Sequence, residues 1–406
     1  MHGPRVCILG GGFGGLYTAL RLDSLLWPQG SKPQVTLIDR SSRFVFKPLL
    51  YELLNGGATQ DEVAPPFSQL LAPYSINFIQ VFTVPLQTAS LRQAVKARGP
   101  GAGGRVMLEN GSAVEYDWLV LALGSDSVFF GIEGVKELCL PFNTYSDAMR
   151  VSVRLRMLEQ LPGVADVVVV GGGYCGIELA TTVAERMQGS GRVHLITGGE
   201  DILESSPLGQ REAARRTLQD QGIDIIANAF LPFPANNKGA VRTDATLRVV
   251  DHPRVFALGD VSGCDCEAST SAPTLAPTAQ APQVAFQQAD YVAWNLWASI
   301  NRRPLLPFKY QHLGEMMSLG RARGAVTLPV PLAPPLRQAL NGGGVTVEGP
   351  LAGAMRRAAY LYRQPTAEQR MAVGASWLQQ AATEGASLAQ RMLAGRPTRS
   401  PPGSSR

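Results

Sequence analysis

RVCILGGGFGG at residues 5–15 and DVVVVGGGYCG at residues 166–176 share one plan: an apolar run, three glycines, then the opening of an amphipathic stretch. A short apolar run that ends in glycine reads as a buried parallel strand entering a tight turn, and the residues after the glycines have helical spacing. Both copies hold GxGxxG register: Gly10, Gly12 and Gly15, then Gly171, Gly173 and Gly176. The first glycine makes the turn, the second lets the backbone approach a pyrophosphate, and the third lets helix and strand pack closely. The helix N-terminus then presents oriented N–H groups to phosphate. In the first copy the next strand, QVTLID over 34–39, ends at Asp39, a carboxylate suited to a ribose diol. In the second, the strand over 192–197 ends at Thr197, with no acid and no Arg directly after it. The repulsion toward a 2′-phosphate is then absent, so NADPH is tolerated beside NADH. A vestigial nucleotide site remains the alternative for this copy.

Working outward, helices are expected over 14–26 and 174–187 and strands over 118–124 (WLVLALG) and 223–227, with a polar helix over 210–221. VFALG at 255–259 resumes the sheet begun at Arg5. The expected fold is α/β, with two interleaved Rossmann-like dinucleotide-binding domains and a C-terminal membrane-associating helical region. Residues 1–150 form the first domain's opening part, 151–242 the second domain, 243–326 the return to the first, 327–393 the C-terminal region and 394–406 a disordered tail. A long helix is expected over 283–300, a Pro/Gly-rich stretch over 327–350 and two helices over 351–393.

The 406 residues are 45% hydrophobic and 17% charged, with 43 glycines and a net charge of +5, which describes a globular chain. No stripe of basic and aromatic residues points to nucleic acid. Cys7, Cys139, Cys175, Cys264 and Cys266 form no CxxC pair and no zinc spacing, so neither a disulfide framework nor a metal site is expected. No apolar run reaches the roughly 18 residues of a membrane span, and Met1–Pro4 lead straight into a strand without a leader.

GGGFGG, WLVLALG, GGGYCGIELA and VFALGD, in that order, resemble the two-dinucleotide flavoproteins. FVFKPLLYELL (44–54), QVAFQQAD (283–290) and LGEMMSLGRARGAV (313–326) are similar to the type II NAD(P)H:quinone oxidoreductases. With RVCILGGGFGGLYTALRL and NRRPLLPFKYQHLGEMMSLGR they look closest to the plant and algal chloroplast branch, which reduces demethylphylloquinone and other prenylquinones. The resemblance covers residues 5 to about 380. It implies FAD on the first unit, NADPH or NADH on the second, and a prenylquinone as electron acceptor. It implies Asp260 on the flavin ribityl chain, and cofactor contacts from Phe13, Gly14, Arg40, Lys47, Val84, Gly124, Tyr174, Glu178 and Thr197. The catalytic candidates are Glu178, Gln283, Gln287 and Lys47. Gln283 and Gln287 lie i,i+4 on one helix face, where the resemblance implies a quinone site and the bland reading is a solvated amide pair. Glu178 is either a proton relay or a helix-start carboxylate, and Lys47 either a flavin neighbour or a surface lysine. The resemblance further implies peripheral attachment to a membrane or lipid-droplet surface in the chloroplast (thylakoid or plastoglobule), with the mitochondrion and a homodimer as options. Trp294, Leu296, Trp297 and Ile300 form an apolar helix face, for core or membrane, and AMRRAAYLYR (354–363) suits an interface.

One departure stands out. After 223–227 the family continues with further strands of the NAD(P) domain, whereas here a short Pro/Asn/Gly-rich loop leads to TDATLRVVDHPRVFALGD. That loop is too short to hold them. Weaker NAD(P)H binding is therefore expected. The competing readings are a sulfide:quinone oxidoreductase and an FAD-binding remnant.

Overall fold

Strand β1 (Arg5–Leu9) enters the first glycine turn, helix α1 (Phe13–Ser24) leaves it, and β2 (Gln34–Asp39) completes the unit. The computed structural model describes residues 3–28, 31–81, 95–97, 102–108, 110–125, 127, 139–204, 206–227, 241–250, 252–259, 262–264, 282–311, 313–320, 323–328 and 344–394. A 3₁₀ turn over Lys47–Leu53 and two single-turn helices, α2 (Gln60–Val63) and α3 (Phe67–Leu70), lead to β3 (Ile76–Gln80). Then β4 (Val95–Ala97), β5 (Gly104–Met107) and β6 (Ala113–Tyr116) form an antiparallel layer, before β7 (Trp118–Leu121).

Helix α4 (Tyr145–Glu159) starts on a reciprocal cap, the Asp147 N–H donating to Thr144 Oγ1 and the Thr144 N–H to the Asp147 carboxylate. The second unit comes next: β8 (Ala165–Val170), α5 (Tyr174–Arg186), β9 (Gly191–Ile196), α6 (Leu208–Asp220) and β10 (Asp224–Ile226). Beyond it come β11 (Val241–Thr243), β12 (Val255–Ala257), β13 (Ser262–Cys264) and α7 (Pro282–Ile300). The chain continues through β14 (Glu315–Ser318), β15 (Gly324–Leu328), β16 (Val345–Gly349), α8 (Pro350–Tyr362) and α9 (Ala367–Ala394).

The first sheet has order β12-β7-β1-β2-β3 and is parallel throughout. Strand β12 therefore does return to the sheet begun at Arg5, which makes the two units interleaved. Val6 and Ile8 pack with Leu16, Leu20 and Val292 of α1 and α7, while Cys7 and Leu9 pack with Val106 and Tyr116 of the β4–β6 layer. Cover on both faces is why β1 reads as an unbroken apolar run. The second sheet, β10-β9-β8, is also parallel, but among the described residues it has three strands against five.

The stretch over 327–350 is more than a connection: it holds the end of β15 and all of β16, which pair antiparallel, with β14 on the other side of β15. Leu296 is fully buried in the first core, so that face of α7 is core, whereas Trp294 is partly exposed and packs on Trp297. Among the described residues no helix is long and apolar enough to cross a membrane. Val84, Asp260, Cys266, the loop over 228–240 and the tail from residue 395 lie outside the described residues.

Candidate functional site

The two glycine turns have the same geometry. Gly10 has φ +99° and Gly171 φ +125°, both in the left-handed region that favours glycine. The Gly10 N–H donates to Ile38 O and the Gly171 N–H to Ile196 O, each at 2.8 Å. A Cβ on Gly15 would lie 1.7 Å from Gly10 O, and one on Gly176 would lie 1.7 Å from Gly171 O. These two glycines are what allow each helix to start so close to its strand. By contrast, a Cβ on Gly12 or Gly173 would meet nothing within 4 Å. Each caps its helix N-terminus in extended backbone. Open space over a helix N-terminus, bounded by two glycines that cannot change, is a cradle that fits a dinucleotide pyrophosphate.

What stands beside each cradle differs. Asp39 accepts from the N–H groups of Gly11 and Ser41. Burial lifts its carboxyl above the ordinary value, and those two N–H groups oppose the rise. In the second unit Thr197 occupies the matching place, its Oγ1 facing Gly172 as Asp39 faces Gly11. The loop after it is tied by Arg215 to the Asp201 carboxylate and by Arg211 to Glu204 O. The sequence placed no Arg directly after Thr197, yet helix α6 brings two to that loop. Nothing local to Thr197 signalled them.

The two units meet around α5. Glu178 is buried, and its Oε1 accepts from the Ser318 N–H at 2.8 Å. Burial pushes its carboxyl up to about 7, against the Ser318 N–H, the Arg356 guanidinium and the Tyr51 hydroxyl, which favour the carboxylate. Tyr51 also donates to Cys175 Sγ at 3.0 Å. Behind Glu178 lies a buried ion pair, Arg356 Nη2 to Glu52 Oε1 at 2.6 Å, and Arg357 Nη2 reaches the other oxygen at 3.2 Å. Among the described residues, Arg356 Nε and Nη1 make no hydrogen bond. Tyr174 donates to the Glu315 carboxylate. Glu52, Arg356 and Ser318 were not singled out from sequence; their partners lie more than a hundred residues away.

Lys47 Nζ donates to Asn143 Oδ1 at 2.7 Å, and Asn143 Nδ2 donates to Ser125 O at 3.0 Å. Asn143 thereby ties Lys47 to the turn at Gly124, which has φ +71°. Phe13 turns its ring into the core against Phe44 and Phe46, leaving its backbone for the turn, and Arg40 is exposed beyond Asp39. On α7, Gln287 spends both amide atoms on the Gln311 backbone, at 2.8 and 2.9 Å, and Gln283 is half-buried. The next residue, Gln288, is buried and accepts from the Gly259 N–H at 2.7 Å, at the end of β12. That contact to the first sheet falls one position from the residue the sequence favoured.

Residues 4–231, more than half of the chain, match the family model described as pyridine nucleotide-disulphide oxidoreductase. The chain belongs to that family. Within it, the chain is 41% identical to an alternative NAD(P)H-ubiquinone oxidoreductase C1, chloroplastic/mitochondrial, of Arabidopsis thaliana, over 96% of this chain and 83% of the relative. That alignment runs over 449 positions, more than the 406 residues present here, so it includes positions that this chain lacks. A demethylphylloquinone reductase of Synechocystis is 36% identical over 92% of this chain and 96% of its own. Among solved structures, NDH2 from Plasmodium falciparum in complex with NADH superposes with a TM-score of 0.69 at 15% identity, covering 93% of this chain and 98% of that one. A sulfide:quinone oxidoreductase from Aquifex aeolicus gives 0.65 at 22%, covering 88% and 90%. Both show the family's fold.

Proposed function

We propose that this chain is an FAD-dependent NAD(P)H:quinone oxidoreductase of the prenylquinone-reducing kind. The observation that carries the reading is the pair of geometrically matched cradles, joined through α5 at the buried Glu178. The names of the relatives supply the acceptor class. Bound FAD supplies the two-electron chemistry between nicotinamide and quinone. The chain's own residues do the rest. The N-termini of α1 and α5 hold the two pyrophosphates, and Asp39 takes the ribose of the first nucleotide. Thr197 leaves room for a 2′-phosphate, beside the Arg211 and Arg215 loop. Lys47 brings positive charge near the flavin. Glu178, with its carboxyl near neutrality, holds a proton of the kind that quinone reduction consumes. Gln283 and Gln287 stand on the helix assigned to the quinone, and Gln287 also pins the segment at Gln311.

The acceptor is a membrane quinone in this reading, met at a chloroplast membrane or lipid-droplet surface. Leu351, Tyr362, Met371 and Leu378 of α8 and α9 are exposed, and Arg363 and Arg370 stand among them. That mixture suits an anionic lipid interface. A sulfide-oxidising reading has less support. Cys7 is sealed inside β1, Cys139 is exposed far along the chain, and Cys175 lies in the phosphate turn.

The test is anaerobic reduction of the purified yellow protein with NADPH and NADH, followed by a prenylquinone held in anionic vesicles. Bleaching of the flavin band by either nucleotide, reversed by the vesicles, is expected. A flavin that sulfide bleaches and neither nucleotide does would move the reading to the sulfide enzyme. One that neither bleaches would leave an FAD-binding remnant.

A further inference from the structure

Tyr51 sits in the 3₁₀ turn over Lys47–Leu53 and reaches across to α5, where its hydroxyl donates to Cys175 Sγ at 3.0 Å. The same hydroxyl is a hydrogen-bonding neighbour of the Glu178 carboxyl. Cys175 and Glu178 are three residues apart on α5 and so share one helix face. The Tyr51 ring is buried and stacks on Phe142, with ring centroids 5.2 Å apart. A fixed ring leaves the hydroxyl proton one freedom, rotation about its C–O bond. Tyr51 therefore has one proton to give and two acceptors to choose between, a thiol sulfur and a carboxyl.

The other groups around Glu178 have partners of their own. The Ser318 N–H of β14 donates to Glu178 Oε1. On α8, Arg356 pairs with Glu52 and stacks over Tyr360, and Arg357 takes the second oxygen of Glu52. Tyr174 of α5 donates to Glu315 of β14, and Lys47, which acts on Cys175, donates to Asn143. Burial and the neighbouring Glu178 raise the Tyr51 phenol well above its ordinary range, and desolvation raises the Cys175 thiol. Tyr51 and Cys175 therefore keep their protons while Glu178 changes state near pH 7. A thiol sulfur is a weak acceptor. A hydrogen bond to an ionised group is roughly twice as strong as one between neutral groups. The carboxylate thus draws the Tyr51 proton more strongly than the thiol does, whereas the protonated carboxyl can itself donate to the Tyr51 oxygen.

We propose that Tyr51 is a positioning residue for the proton on Glu178: it accepts from the protonated carboxyl while donating to Cys175 Sγ, and turns its own proton onto the carboxylate once Glu178 has given its proton away. The use of this switch rests on the quinone reading. NAD(P)H brings a hydride, which is two electrons and one proton. Reduction of a quinone to the quinol takes two electrons and two protons, so one proton must be supplied by another group. Glu178 supplies it: its O–H bond breaks and an O–H bond of the quinol forms. The carboxylate left behind is buried, where charge is disfavoured. The Tyr51 O–H holds that carboxylate until a proton from water restores the acid, and Tyr51 then returns to Cys175. Without the hydroxyl, Glu178 releases its proton less readily. Without the thiol, the hydroxyl stays on the carboxyl in both states and Glu178 holds its proton less tightly.

Infrared difference spectra of the full-length holoprotein, taken across neutral pH, test it. The band of the protonated Glu178 carboxyl is assigned by its loss in Glu178→Gln, and in the wild type it is expected to fade through about pH 7. Tyr51→Phe keeps the ring against Phe142 and is expected to move that midpoint up by about one pH unit, the worth of one hydrogen bond to a charge. Cys175→Ala removes the competing acceptor and is expected to move the midpoint down. Cys175→Ser puts a stronger acceptor in the same place and is expected to move it up. The S–H stretching band that Cys175→Ala abolishes should shift in step with Glu178 in the wild type and stay still in Tyr51→Phe. Bound flavin reports that each variant has folded. A mere loss of packing would move the two Cys175 variants in the same direction, so opposite shifts support the switch. Midpoints that move together or not at all, or an S–H band that ignores Glu178, would overturn it. The titration needs no electron acceptor, so its outcome is separate from the reoxidation of flavin by quinone that tests the quinone reading.

Discussion

Glu178 is the residue where burial and chemistry coincide. Its folded carboxyl titrates near 7, against an ordinary value of 4.5, because burial disfavours the carboxylate more than Ser318, Arg356 and Tyr51 favour it. The folded chain therefore holds this proton through a window in which the unfolded chain has released it. The stability the proton confers is fully present below 4.5 and is lost as pH rises through about 7, a span worth at most ~3 kcal/mol. Glu178→Gln keeps an acceptor for the Ser318 N–H and removes the titration. Melting temperatures taken across that window should fall with pH for the wild type and stay flatter for the variant; parallel curves would mean that Glu178 does not carry the slope. Much at this scale was legible in the sequence, because it is local. Gly10, Gly15, Gly171 and Gly176 are required by turns a few residues long. Gln287 and Gln288 show the limit: adjacent positions on a helix face different neighbours, and only the packing of α7 decides that Gln288 meets Gly259 while Gln287 meets Gln311.

Helix α8 joins distant parts of the chain through a buried ion pair. It comes after β16 and drives Arg356 and Tyr360 into the interior, where Arg356 is 1% exposed against Glu52 of the 3₁₀ turn and stacks over Tyr360. A buried charge is tolerated only while its partner stays. Glu52→Gln should therefore lower the denaturation free energy by about 3–5 kcal/mol, and Glu52→Leu with Arg356→Met should recover most of that loss. Urea titrations of the three proteins decide the matter. A single variant as stable as the wild type would show that the pair does not hold α8. Nothing in FVFKPLLYELL or AMRRAAYLYR signals this contact, since pairing across 304 residues leaves no periodicity to read. The same blindness hid β15 and β16. Their strands are short, and the Pro/Gly-rich stretch between them outweighed the alternation in Val345–Gly349. Strands β1, β7, β8 and β12 were legible for the opposite reason: each is an apolar run ended by a turn.

At the scale of the whole molecule the two units open on the same glycine turn and are not equivalent. The first has five strands and an antiparallel layer over Cys7 and Leu9; the second, among its described residues, has three strands and leaves Val168 and Val170 in solvent. The short loop after β10 foreshadowed this, and the alignment to the Arabidopsis relative is longer than the chain itself. In the proposed reading the cradle at Gly173 still holds a pyrophosphate, so the loss should fall on the nicotinamide end and on the first half-reaction alone. The apparent KM for NADPH should exceed that of the Arabidopsis relative by about tenfold or more, the equivalent of ~1.4 kcal/mol of lost contact. Reoxidation of chemically reduced flavin by quinone should run at a comparable rate in the two proteins, because the groups proposed for that step, Glu178 and Lys47, keep their partners Ser318 and Asn143. Stopped-flow measurement of the two half-reactions separates these effects. If NADPH saturates this chain as readily as the relative, the absent strands contribute nothing to nicotinamide binding. If both half-reactions fail together, the damage reaches α5 and the joint between the units at Glu178.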